Sequence, residues 1–148
     1  MDRDVFCHKL FEELRFMDIA IKQSITTVCI NHDVNHFQSH LLGELKMEDG
    51  QTTRQLADHL CVKPSNFTPL VRSMEELGLV ERRQDENDKR TWRIFITADG
   101  RAKSDAIDSE FSEVFGSESS EANELQQQVI DGFEAFRKLV KLSGHVKK

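Results

Sequence analysis

The stretch that decides the fold reads LADHLCVKPSNFTPLVRSMEELGLVERR and covers residues 56–83. Its apolar residues recur three and four positions apart on both sides of a break at 61–63, which predicts two short helices joined by a tight turn. Pro64 suits the first turn of the second helix, because an N–H at that position would have no partner. Gly78 suits the position just after the last turn. From Leu79 onward the pattern changes to an extended segment.

A β-hairpin is predicted directly after this helix pair. The strand candidates are Leu79–Arg83 and Trp92–Ile96, and the apolar residues of the second alternate as they do on one face of a strand. The polar segment 84–90 between them is too long for a tight turn, so we expect a protruding loop. Thr52 and Gln55 have the spacing of a capping box and predict the start of the first short helix.

Longer amphipathic helices are predicted on both sides of this centre. Apolar residues three or four positions apart predict one helix over residues 4–29. Asp33 is the expected N-cap of a second helix, which ends near 48–50. Another helix is expected to open at 97–100, and a break at 116–120 precedes the last one. The predicted fold is mainly α with a small β-hairpin wing.

Composition and charge narrow the function classes. The chain of 148 residues carries a net charge of −6, yet residues 52–97 net +1 and the remainder nets −7. No apolar run has the length of a membrane span, and the first ten residues do not resemble a secretory signal. Three cysteines without CxxC spacing favour a reducing cytoplasm over a disulfide framework. No GxSxG, HExxH or phosphate-binding glycine loop is present, so we expect no enzyme, no metal site and no cofactor.

Two helices, a turn and a hairpin are the order of a winged helix-turn-helix, which predicts a partner in double-stranded DNA. The second helix of such a unit places short polar side chains near base edges in the major groove, and the wing places cations at the minor groove or backbone. The candidate DNA-contacting residues are Arg54, Lys63, Ser65, Asn66, Thr68, Arg72, Arg82, Asp88, Lys89 and Arg90.

Residues 56–102 resemble the MarR family of transcriptional regulators. The resemblance lies in an LA..L first helix, a T.LV..ME..GLV.R recognition helix and strand, a D.R wing and an IT..GR entry into a long helix. It implies a homodimeric regulator, most often a repressor, on a pseudo-palindromic operator. It also implies that Arg90 enters the minor groove, that Asp88 orients the basic groups of the wing, and that an aromatic or amphipathic acid acts as effector.

Three further features are left with alternatives. Phe11, Phe37, Phe111 and Phe115 are candidates for an effector pocket, or they pack the core and the dimer interface. His36 and His40 have the spacing of a helical metal pair, but surface histidines are the preferred interpretation. Cys7 lies where peroxide-sensing relatives carry a reactive cysteine, but a buried or inert thiol is preferred, and Cys29 and Cys61 are expected in the core.

The domain division predicted from these patterns is a winged helix-turn-helix lobe at 33–102 between dimerisation helices at 1–32 and 103–148. The predicted function is a cytoplasmic, homodimeric, ligand-responsive DNA-binding regulator. The alternative is a winged-helix protein-interaction module that has lost DNA binding, which the net charge and the few basic residues of the second helix favour.

Overall fold

The computed structural model describes residues 2–116 and 119–143, and it confirms a mainly helical fold with a small antiparallel sheet. The elements are α1 (Arg3–Asn31), α2 (His36–Met47), β1 (Gln51–Thr52), α3 (Thr53–His59), α4 (Pro64–Glu76), β2 (Val80–Gln84), β3 (Trp92–Ile96), α5 (Ala98–Phe115) and α6 (Ser120–Ser143). Among these residues, no helix is both long enough and apolar enough to cross a bilayer.

The start of α2 differs from the expected one. Asn35, not Asp33, is the N-cap: its side chain accepts from Gln38 N at 3.0 Å, and Gln38 Oε1 accepts from Asn35 N at 2.8 Å. Asp33 has a φ of +54°, so it forms the turn and leaves capping to Asn35. The Gln38 amide also donates to Ser73 Oγ at 3.2 Å, which ties α2 to α4.

The sheet contains a third strand that the sequence did not indicate. Its order is β1-β3-β2, with both pairings antiparallel and with Gln51 opposite Ile94. The strand β2 begins at Val80, one residue later than expected, and the hairpin loop is 85–91. The capping box at Thr52 is confirmed, and because Thr52 also ends β1, the sheet runs directly into α3.

The core lies between α2, α3, α4 and the sheet. Its fully buried side chains include Leu41, Leu42, Leu45, Leu56, Met74 and Ile94 from these four parts, and Val28 near the end of α1 is buried with them. Gly78 adopts a φ of +71° directly after the C-cap of α4, as expected of a glycine in this place. The turn between α3 and α4 and the hairpin are thus fixed against one core.

The chain forms two compact units, residues 1–111 and 112–148. In the first unit, the N-terminal half of α1 leaves large apolar side chains exposed, among them Phe6, Phe11 and Phe16. In the second unit, α6 does the same with Leu125, Val129 and Phe133. Within the described residues of its own unit, neither apolar stripe is covered. The division into a lobe at 33–102 and dimerisation helices stays a prediction.

Candidate nucleic-acid interface

The N-terminal half of α4 presents polar side chains to solvent. Ser65, Asn66 and Thr68 are all exposed, while Phe67 between them is 2% exposed and anchors the helix in the core. In the part of the chain that the structure describes, the N-cap residue of α4 is Lys63, and its side chain makes no capping hydrogen bond. Amides at a helix start attract phosphate, so this end of α4 can face a DNA backbone.

A basic groove joins α3, α4 and the hairpin. It has a volume of about 430 Å³. The residues that line it are Thr52, Thr53, Arg54, Thr68, Arg82, Arg90, Thr91 and Trp92. The structure thus brings together Arg54, Thr68, Arg82 and Arg90, four of the predicted contact residues, from three separate parts of the chain.

Several cations at this surface already have acidic partners. Arg82 Nε lies 2.7 Å from Glu75 Oε2 and its guanidinium stacks 5.8 Å from the centre of the Trp92 ring. Arg72 Nε lies 3.2 Å from Glu76 Oε1, one helical turn further along α4. In contrast, the side chain of Arg90 makes no ion pair within residues 2–116 and 119–143. Among the described residues, Arg90 therefore lacks the acidic partner that Arg72 and Arg82 have.

The wing loop takes its shape from two aspartates with different partners. Asp88 accepts from the backbone N–H of Arg90 at 3.0 Å and from the Thr91 hydroxyl at 2.8 Å. It acts on the backbone next to Arg90 rather than on a cationic side chain, in contrast to the role that the resemblance implies. The ion pair of the wing is made by Asp85, whose Oδ2 lies 2.5 Å from Arg93 Nε.

Asp85 anchors the wing to the rest of the lobe. Its other oxygen accepts from the amides of Asn87 and Asp88 at 2.8 and 3.0 Å. Arg93 also donates to the carbonyl of Gly50 at 2.8 Å, so the contact reaches from the loop to the residue before β1. The hydrogen bond from Arg93, and then those from the two amides, lower the pKa of Asp85 to about 2. Sequence reasoning missed this residue.

Two more of the predicted contact residues line a second cavity, of about 580 Å³. Lys63 and Asn66 line it together with Phe37, Cys61 and Pro69. Asn66 therefore stands on the opposite side of α4 from the basic groove lined by Thr68.

The candidate effector residues are not brought together. A third cavity, of about 520 Å³, lies between α1, α2 and α5 and has Phe111 in its wall. Phe37 lines the second cavity instead, Phe11 is 65% exposed on α1, and Phe115 belongs to the second unit. The cavity is mostly apolar and includes Ile25, Val28, Cys29, His40, Lys46 and Ile107.

Polar groups in this cavity are held by their neighbours. Lys46 Nζ lies 2.5 Å from Asp105 and 2.7 Å from Asp108, which joins α2 to α5. Burial raises the pKa of the Cys29 thiol, although a hydrogen bond with Ser39 opposes it. Burial and the neighbouring His36 lower the pKa of His40. A ligand here would meet a mostly apolar wall that also includes His40.

One cysteine prediction is wrong. Cys29 is buried as expected, but Cys61 is exposed, with a φ of +51° in the turn between α3 and α4. The turn needs a left-handed residue there, which points the side chain away from the core. Cys7 is also exposed, because it lies in the N-terminal half of α1 that the lobe does not cover.

Comparison with known proteins finds similarity to one family in this part of the chain. The model of the MarR family matches residues 34–92, the segment that holds the helix pair and the start of β3. The HTH-type transcriptional regulator TtmR of Methylorubrum extorquens (strain PA1) is 27% identical over 89 residues. That alignment covers 60% of this chain and 46% of TtmR, so the chain matches about half of this relative.

Solved structures extend the likeness to the flanking helices. A crystal structure of a MarR family transcription regulator covers 97% of this chain and 98% of its own, with a TM-score of 0.74 and 22% identity. The structure of NadR in complex with 4-hydroxyphenylacetate covers 91% of this chain and 92% of its own, with a TM-score of 0.71 and 18% identity. The structure of a variant of S. aureus MepR bound to an oligodeoxyribonucleotide covers 85% of this chain and 96% of its own, with a TM-score of 0.62 and 25% identity.

The family model covers the helix pair and wing, and the solved structures share the fold over most of the chain. The chain is similar to the MarR family of winged helix-turn-helix transcription regulators in the matched segment, and it shares their fold over most of its length.

Proposed function

We propose that the protein is a homodimeric repressor that binds a pseudo-palindromic operator in double-stranded DNA and releases it when a small ligand binds. The observation that carries the proposal is the basic groove, in which Arg54, Thr68, Arg82 and Arg90 converge beside the exposed start of α4. A MepR variant of the same fold is bound to an oligodeoxyribonucleotide. Lys63, Ser65, Asn66, Arg72 and Lys89 complete the proposed contact set, and Asp88 shapes the wing that carries them.

The start of α4 and the wing have different roles in this proposal. Ser65 and Asn66 offer hydroxyl and amide groups that pair with base edges, which supports sequence choice. The wing offers cations that attract phosphates or a narrow minor groove whatever the sequence, which supports general affinity.

Dimerisation is inferred from the exposed apolar stripes of α1 and α6. Each stripe contains large apolar side chains at helical spacing that are exposed to solvent, such as Phe11 at 65% and Leu125 at 54% exposure. Covering them with a second copy would create an extensive apolar interface of the kind that obligate dimers have. Two-fold symmetry would then set two copies of α4 about one DNA turn apart.

The ligand site is inferred to be the cavity between α1, α2 and α5. Its volume of about 520 Å³ is in the range of small-molecule sites, and its mostly apolar wall suits an aromatic or amphipathic ligand. NadR, which shares the fold, is seen in complex with 4-hydroxyphenylacetate. A ligand that binds more tightly to one spacing of the two winged helix-turn-helix lobes of the dimer would change the affinity for DNA. The size of the change is set by the difference in ligand affinity between the two spacings.

The decisive experiment measures binding of the full chain to genomic duplex fragments over a salt series. We expect Arg90→Ala to weaken specific binding by about 1–3 kcal/mol, because the wing loses its uncompensated cation. Arg83→Ala is the matched control: it removes the same charge from the same hairpin, but Arg83 is paired with Glu81 and stacks on Phe95, outside the basic groove. Equal affinity of Arg90→Ala and the native chain at physiological salt would contradict the wing assignment.

One observation favours a second function, that of a winged-helix interaction module without DNA binding. Arg72 and Arg82 are each held by a glutamate of α4, at 3.2 and 2.7 Å, which reduces the positive charge that the recognition helix offers. This alternative predicts no salt-dependent affinity for any duplex fragment, so the same titration separates the two functions.

A further inference from the structure

Two histidines on α2 approach each other more closely than surface histidines need to. His36 and His40 lie one helical turn apart, and their Nε2 atoms are 2.9 Å from each other. The rings stand almost perpendicular, at 87°, with centres 4.2 Å apart. The two Nε2 atoms are therefore close enough to each other to share one ion beside the helix.

We propose that His36 and His40 form a two-imidazole binding site for a borderline divalent cation such as Ni²⁺ or Cu²⁺. Imidazole nitrogens bind such ions at about 2.0–2.1 Å, and two nitrogens 2.9 Å apart then subtend roughly 90° at the metal. Adjacent ligands of a square-planar or octahedral ion make this angle, whereas tetrahedral Zn²⁺ needs about 109°. Nitrogen ligands in tetragonal geometry select Cu²⁺ or Ni²⁺.

The surroundings leave room for the rest of the coordination sphere. Within residues 2–116 and 119–143, no group of three or more histidine, cysteine, aspartate or glutamate side chains is placed to hold a metal. Glu44, one turn further along α2, is engaged with His59 Nδ1 at 3.3 Å. Both histidines are exposed, so water would fill the remaining positions and the affinity would be moderate.

The site lies where binding can affect the proposed regulator. His40 forms part of the wall of the cavity between α1, α2 and α5. Between the two histidines stands Gln38, whose amide donates to Ser73 on α4. A metal that clamps the first turns of α2 would therefore stiffen the segment that joins the cavity to the recognition helix. This consequence rests on the proposed function, but metal binding itself does not.

The test is calorimetric titration of the full chain with Ni²⁺ at neutral pH. We expect one ion per chain, and we expect His36→Gln and His40→Gln each to lower the affinity at least about tenfold, since even outer-shell substitutions at metal sites cost that much. His8→Gln is the matched control, because His8 is also exposed on a helix, and its Nε2 lies 3.5 Å from Glu12 one turn along. This variant should bind as the native chain does.

Two results would overturn the site. One is native affinity in either His36→Gln or His40→Gln, and the other is no saturable binding below about 1 mM, the weak end of biological metal sites. Either would mean that the 2.9 Å contact between the two Nε2 atoms is only a hydrogen bond. The circular dichroism of each variant checks that α2 still forms. DNA binding is measured separately, so that loss of the metal site and failure of the proposed function give different results.

Discussion

Gly100, in the first turn of α5, has no room for a methyl group. A Cβ added there would lie 2.0 Å from the carbonyl oxygen of Leu79 and 2.9 Å from Cγ1 of Ile96. The same carbonyl accepts the amide of Thr97 at 3.1 Å, and the Thr97 hydroxyl accepts the Gly100 amide at 3.0 Å. The glycine therefore allows the start of α5 to lie against the start of the wing.

We expect Gly100→Ala to destabilise the fold by about 1–2 kcal/mol. A carbon and a carbonyl oxygen normally stay about 3.3 Å apart or more, so α5 and Leu79 must separate by more than about 1 Å. Because the obstacle is backbone, no rotamer change relieves it, and forced overpacking costs about 1–3 kcal/mol. The helix propensity of alanine returns up to about 1 kcal/mol, which offsets part of this cost.

Urea unfolding at one fixed protein concentration measures the effect. Gly43→Ala is the matched control, since Gly43 also lies inside a helix but has no atom within 4 Å of an added Cβ. At this position only the higher helix propensity of alanine acts, and we expect the free energy of unfolding to rise by about 0.5–1 kcal/mol. The two variants should thus shift the midpoint in opposite directions. A Gly100→Ala chain as stable as the native one would refute the packing argument.

Two further predictions concern the wing and α4. The pKa of Asp85 is lowered from 3.8 to about 2, so its ionised form contributes stability that is fully present above about pH 4 and is lost as pH falls through about 2. The free energy of unfolding of Asp85→Asn should therefore be lower than that of the native chain at neutral pH, and the difference should shrink between pH 4 and pH 2. A difference that does not change with pH would contradict the ion-pair assignment. Asn66→Ala should reduce discrimination between the operator and a mutated operator by about 1–3 kcal/mol, measured by competition between the two duplexes, whereas equal discrimination would remove Asn66 from the base-reading set.

Local patterns predicted the parts of the fold that depend on neighbouring residues. The capping box at Thr52, the proline at the start of α4 and the glycine after its end all lie where the sequence placed them. Each of these signals acts within four residues. The N-cap of α2 was misplaced because Asp33 and Asn35 are both good capping residues, and the backbone turn at Asp33 decides between them.

The missed features depend on residues far apart in the chain. β1 has two residues, too few to show an alternating pattern, and exists because β3 offers it a partner. The sequence alone does not distinguish Asp85 from Asp88. In the structure, Asp85 pairs with Arg93, which also donates to the carbonyl of Gly50, whereas Asp88 accepts from the backbone of the loop. Likewise, apolar periodicity marks Phe11, Phe37 and Phe111 alike, and only the packing of α1, α2 and α5 shows that Phe111 lines the cavity.

The two-residue strand β1 has a consequence for the order of folding. Within the hairpin, Gln84 pairs with Trp92 across a short loop, whereas Gln51 must find Ile94, 43 positions further along the chain. Closing the longer segment costs about 1.5 kcal/mol more in chain entropy than closing the hairpin. A strand of two residues recovers little of that cost before α3 and α4 have packed together. The hairpin and the helix pair are thus local units that can form early, and the sheet is completed last, when the chain before α3 docks onto β3.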